Sequence, residues 1–170
     1  YALFSVYVSL LFPLIHLGVI NGIQVEYFKL NKSELTKYIS SSLIFPCVSF
    51  FAITLVLLIF KAQLSTLSGI PINWIIFIPL LAFLKIIPSI VSSIYRSMEN
   101  AVKYALFNSS IAVSSLLFTL LFVLLFKMSW EGRVLGVFIP FLIFVIVGIL
   151  ILKKQGLLNN YIKKKYQYSS

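Results

Sequence analysis

The chain has 170 residues, 61% of them apolar and 11% charged, with 14 Lys and Arg against 4 acids and a formal net charge of +10. A soluble domain is about 45–50% apolar and about 25% charged, so these proportions exclude an ordinary water-soluble globule. They also exclude much of catalysis. The acids are Glu26, Glu34, Glu99 and Glu131, scattered along the chain beside one His (His16), one Cys (Cys47) and no Asp. Neither a carboxylate pair, a metal cage nor a nucleophile triad can be drawn from that inventory. No enzymatic activity, cofactor or metal is therefore expected. The basic residues flank apolar runs, as in membrane proteins, so the charge does not point to nucleic acid.

In chain order, apolar runs over residues 2–20, 39–60, 72–95, 105–126 and 134–152 are each long enough to cross about 30 Å of hydrocarbon once. No alternating strand pattern interrupts them, so helices are the expected way to satisfy the backbone in lipid. The reading is an all-α, polytopic, five-helix transmembrane bundle over residues 1–152, followed by a basic tail at 153–170 that is either a linker or an amphipathic surface helix. The opening at Tyr1, inside an apolar segment with no initiating Met and no basic leader, reads as an internal piece of a longer polypeptide rather than a signal peptide.

Five spans put the first and third connections and the tail on one side. That side collects Lys29, Lys32, Lys37, Arg96, Lys103, Lys153, Lys154, Lys163, Lys164 and Lys165, against Lys61, Lys127 and Arg133 on the other. The richer side is expected to be cytoplasmic, the chain starting outside and ending inside. Tyr27, Tyr38, Tyr95, Tyr104, Trp74 and Trp130 near the span ends fit interfacial belts.

Lys85 stands alone in the middle of the third run. A charge there costs about 2.5–3.5 kcal/mol on insertion scales, so it either lines a polar cavity or is accommodated by snorkelling and by carbonyls freed at Pro88. At helical spacing Lys85, Ser89, Ser92 and Arg96 form one stripe. The first run carries Ser5, Ser9 and His16 around Pro13, a position expected to kink the helix. His16 is read either as a packing hydrogen-bonder or as a titrating group. Asn108, Ser115 and Thr119 in the fourth run, like Ser42, Pro46 and Ser49 in the second, serve either packing or a cavity. The fifth run has no polar side chain between Leu135 and Leu152 and is expected to be peripheral and lipid-facing. Kinked helices around a polar space are the plan of secondary transporters.

Three short elements carry a family resemblance: Gly22-Ile23-Gln24-Val25-Glu26-Tyr27 after the first run, Tyr95-Arg96 with Lys103-Tyr104 after the third, and Trp130-Glu131-Gly132-Arg133-Val134-Leu135-Gly136 before the fifth. With the span spacing, they resemble the polysaccharide biosynthesis (O-antigen, Wzx-type) flippases of the multidrug/oligosaccharidyl-lipid/polysaccharide exporter superfamily. At the first turn the family often has a basic residue before the Tyr, where this chain has Glu26. The resemblance implies most of the N-terminal lobe of a two-lobed exporter, roughly helices two to six, in a bacterial inner membrane with a cytoplasmic C-terminal tail. It implies as partners membrane lipid, a second lobe of the same polypeptide and an undecaprenyl-pyrophosphate-linked oligosaccharide flipped by alternating access. Lys85, Ser89, Ser92, Arg96, His16 and Asn108 would line the substrate cavity, with Lys29 and Lys103 at its cytoplasmic mouth. The alternatives are a drug/cation antiporter of the same superfamily, expected to carry an intramembrane acid, and a non-transporting membrane protein of polysaccharide assembly.

Overall fold

A computed structural model describes residues 2–158. Every regular element among them is helical: α1 (Ala2–His16), α2 (Val19–Glu26), α3 (Lys32–Ser42), α4 (Ile44–Ile59), α5 (Lys61–Ser68), α6 (Phe77–Leu84), α7 (Ile86–Ser97), α8 (Ala101–Leu120) and α9 (Trp130–Lys154). A 3₁₀ turn at Ile72–Trp74 precedes α6 and a π-helical turn at Leu121–Leu125 follows α8. Four stretches are long and apolar enough to cross a membrane: Lys32–Ile59, Ile72–Ser97, Ala101–Leu125 and Trp130–Lys154. The pair α1 and α2, bent by 51°, makes a fifth if it is one broken span.

The helices extend beyond the apolar runs because polar residues cap them. The stretch Lys32–Ile59 starts seven residues before its apolar run, where Glu34 Oε2 accepts from the Asn31 backbone N–H at 3.3 Å. The stretch Ala101–Leu125 starts where it does because the Asn100 side chain accepts from the Lys103 N–H at 3.0 Å. At the far end of the chain, α9 runs two residues past the expected boundary, to Lys154. The choice between a linker and a surface helix for the tail concerns mainly residues 159–170, with Lys163, Lys164 and Lys165, which lie outside the described residues.

Prolines mark restarts more than kinks. Pro46, Pro79 and Pro88 are each the third residue of α4, α6 and α7, inside the first turn, where a missing N–H leaves no intrahelical bond unmade. Pro13 does not break α1: its carbonyl accepts from Leu17 N at 3.1 Å. The break comes four residues later, where Leu17 (φ 46°) and Gly18 (φ 76°) turn left-handed and end the helix. Gly22 to Glu26, read from sequence within a turn, belong to α2.

At the centre, α1 packs on α6 and α2 on α7, with α4 against α1 and with α8 and α9 on the far side of α7. Ile15, Ile39, Ala82 and Ile90 are fully buried in this core. The element Trp130 to Gly136 forms the first turns of α9 itself. A Cβ at Gly136 would fall 2.6 Å from the Thr119 backbone nitrogen, and one at Gly132 would fall 3.2 Å from the Phe122 Cβ. Two small residues four apart thus let α8 and α9 backbones touch. Gly148 similarly admits Ile87 and Val91 of α7. The expected peripheral fifth helix is therefore packed along one side, and its small residues are the reason.

Lys29, Lys32, Lys37, Arg96, Lys103, Lys153 and Lys154 gather at one end of the bundle, called here the basic end. At the other end Trp74 and Trp130 stack edge to face, ring centroids 5.3 Å apart.

Candidate functional site

A cleft of about 720 Å³ opens between α1, α2, α7 and α8, with Val137 and Phe141 of α9 forming part of its wall. Eight residues singled out by helical spacing meet there: Ser9, His16, Lys85, Ser89, Ser92, Arg96, Asn108 and Ser115. The stripe on α7 faces the cleft along its whole length because Lys85, Ser89, Ser92 and Arg96 advance in steps of three or four residues. Lys29 and Lys103, expected at the mouth, do not line it. Lys29 is exposed and lies 3.9 Å from Glu26, while Lys103 is exposed at the start of α8.

A polar ladder fixes the α7–α8 wall. Arg96 donates to the Tyr104 hydroxyl at 3.1 Å and lies over the same ring. One level deeper, Ser92 Oγ donates to Asn108 Oδ1 at 3.1 Å, and Asn108 Nδ2 donates to the Tyr104 carbonyl at 2.8 Å. On the opposite wall, Ser93 Oγ reaches the Ile20 carbonyl at 3.4 Å, tying α7 to α2.

Lys85 occupies the deep part. It sits at the one-residue junction between α6 and α7, and its ammonium lies 5.5 Å from the centroid of the Phe141 ring. The ammonium itself has no hydrogen-bond or ion-pair partner among the described residues, while the backbone N–H donates to the Leu81 carbonyl. An aromatic face stabilises a desolvated ammonium by about 2 kcal/mol, which offsets only part of the insertion cost and leaves its three N–H donors available.

His16 has a structural task. Its Nδ1 accepts from the Gly18 N–H at 3.0 Å, satisfying a backbone donor freed where α1 ends. With Nδ1 as acceptor, the neutral ring carries its proton on Nε2. Phe12 packs edge-on against the ring at 4.8 Å.

Sequence reasoning missed Asn21, Gln24, Tyr104 and Phe141 as lining residues. Asn21 and Gln24 continue the polar face of the first run at helical spacing, but they lay beyond its apolar end. Phe141 carries no polarity and nothing in sequence aimed it at Lys85.

Among the described residues, the cleft wall contains two basic side chains, Lys85 and Arg96, a row of hydroxyls and amides, and no carboxylate. Such a surface attracts anions and presents donors to them. The chain matches no family model, no curated protein and no solved structure.

Proposed function

We propose that the chain is most of one lobe of a membrane transporter whose cleft receives the anionic headgroup of a lipid-linked oligosaccharide and carries it across by alternating access. The observation that supports this most is Lys85, a cation deep in a half-open cleft with free donors and no acid facing it. A diphosphate supplies the matching charge and acceptors, and the open side of the cleft leaves room for a sugar chain and for a second lobe. The likeness to Wzx-type flippases supplies the substrate class: an undecaprenyl-pyrophosphate-linked glycan in a bacterial inner membrane, the basic end facing the cytoplasm. A drug/cation antiporter fits less well, because a carboxylate would be needed on the wall.

The test is complementation. In a bacterium whose surface polysaccharide depends on the polypeptide carrying this sequence, Lys85→Ala is expected to reduce surface glycan at least about tenfold at equal protein level. Lys61→Ala, an exposed lysine far from the cleft, is expected to change nothing. Wild-type glycan levels with Lys85→Ala would reject the reading.

A further inference from the structure

A second polar cavity lies at the basic end, separate from the cleft. It encloses about 450 Å³ between the start of α3 and the end of α9, with Tyr27, Leu30, Leu35 and Met98 completing its wall. Lys32, the first residue of one membrane-length stretch, and Lys154, the last residue of another, both line it. Residues at such positions stand at the level of lipid headgroups. The cavity therefore spans the boundary between phosphate and hydrocarbon, with cations at its rim and leucines below.

The fold builds this arrangement. Gly156 turns left-handed after α9 (φ 70°), and the Leu157 N–H returns to the Leu152 carbonyl at 2.9 Å, which tucks Leu157 into the cavity wall at 4% exposure. Thr36 Oγ1 donates to the Gly156 carbonyl at 2.9 Å, fastening α3 to that turn. The Lys32 ammonium lies so close to Gly156 that a Cβ there would sit 3.6 Å from Nζ. No acid lines the cavity among the described residues. Of the nearby carboxylates, Glu34 accepts from the Asn31 N–H and Glu26 lies beside Lys29, while Glu99 follows the wall residue Met98 without lining the cavity. Gln155 completes the wall beside Lys154.

We infer that this cavity binds one anionic phospholipid, such as phosphatidylglycerol. Lys32 and Lys154 hold the phosphodiester, and Leu30, Leu35 and Leu157 take the first carbons of an acyl chain. The lipid clips α3 to α9, elements far apart in sequence, and this site is independent of whatever the cleft transports.

The test uses the intact polypeptide purified in a neutral detergent and titrated with dioctanoyl phosphatidylglycerol, followed by native mass spectrometry. Binding is expected to be at least about tenfold tighter than for dioctanoyl phosphatidylcholine. Lys32→Gln with Lys154→Gln is expected to weaken it about tenfold, and Lys29→Gln with Lys153→Gln, which removes the same charge outside the cavity, less than about twofold. Equal loss in both double variants would overturn the site in favour of diffuse surface charge. Competition by inorganic phosphate at the same concentration would overturn the lipid assignment. If the first double variant fails to fold, the single variants decide: each is expected to weaken binding about threefold, and no change in either would reject the site.

Discussion

The central helices present two opposite faces that differ in almost every respect. Toward α8 lies the 720 Å³ cleft with Lys85, Arg96 and its ladder of amides and hydroxyls. Toward α4 and α5 lies a cavity of about 490 Å³ walled by Leu10, Leu14, Leu57, Ile75 and Ile78, with Tyr7 and Ser68 its main polar contributors. Both hollows are bounded by the same bent pair α1–α2 and the same stretch Ile72–Ser97, so length and mean hydropathy cannot separate them. What separates them is the rotational position of a few polar residues. A lipid environment gives no return for placing a cation in either hollow, since insertion costs several kcal/mol. On the polar face Ser92, Arg96 and Asn108 hold α7 to α8, whereas the Lys85 ammonium is left without such a partner among the described residues, and the proposed function rests on that difference.

The largest expected effect is on the polar face. Lys85→Glu reverses the deep charge and is expected to lower the affinity for a diphosphate-bearing amphiphile about a hundredfold, measured on purified protein. Unchanged affinity would place the anion elsewhere. Next comes the wall shared by α8 and α9. Gly136→Leu drives a side chain into the Thr119 backbone and is expected to cost about 1–3 kcal/mol or to prevent assembly, read from detergent unfolding midpoints. A smaller effect belongs to the ladder: a double-mutant cycle on Ser92→Ala and Asn108→Ala is expected to give a coupling of about 0.6 kcal/mol. Smallest is the apolar face, where Leu14→Ala, at an exposed position, is expected to leave glycan delivery within about twofold. A loss there equal to that of Lys85→Ala would erase the distinction between the faces.

Much of this contrast was legible in the sequence. The α7 stripe could be read because a helix turns a spacing of three and four into a face, and Lys85 stood out because an apolar run offers few reasons for a lysine. The extents of the apolar runs located the membrane-length helices, but their ends moved outward wherever Asn31, Glu34 or Asn100 capped a turn that hydropathy counts as loop. The bend of the first span was misplaced for a specific reason. Pro13 can stay within a helix, whereas a leucine at positive φ beside Gly18 has no compositional signature. The tight packing of α9 was hidden because its evidence is an absence of side chain at Gly132, Gly136 and Gly148, which apolarity alone reads as exposure to lipid. Helix α5, polar and only eight residues long, left no apolar trace and read as loop.

The most direct test of the cleft's role compares two ligands that differ only in charge. Purified polypeptide is titrated with a short-chain polyprenyl diphosphate and with the corresponding neutral polyprenol, in the wild type and in Lys85→Ala. The account predicts that the wild type prefers the diphosphate by at least about tenfold and that Lys85→Ala removes most of that preference. Equal binding of the two ligands, or a preference that survives the loss of Lys85, would contradict it.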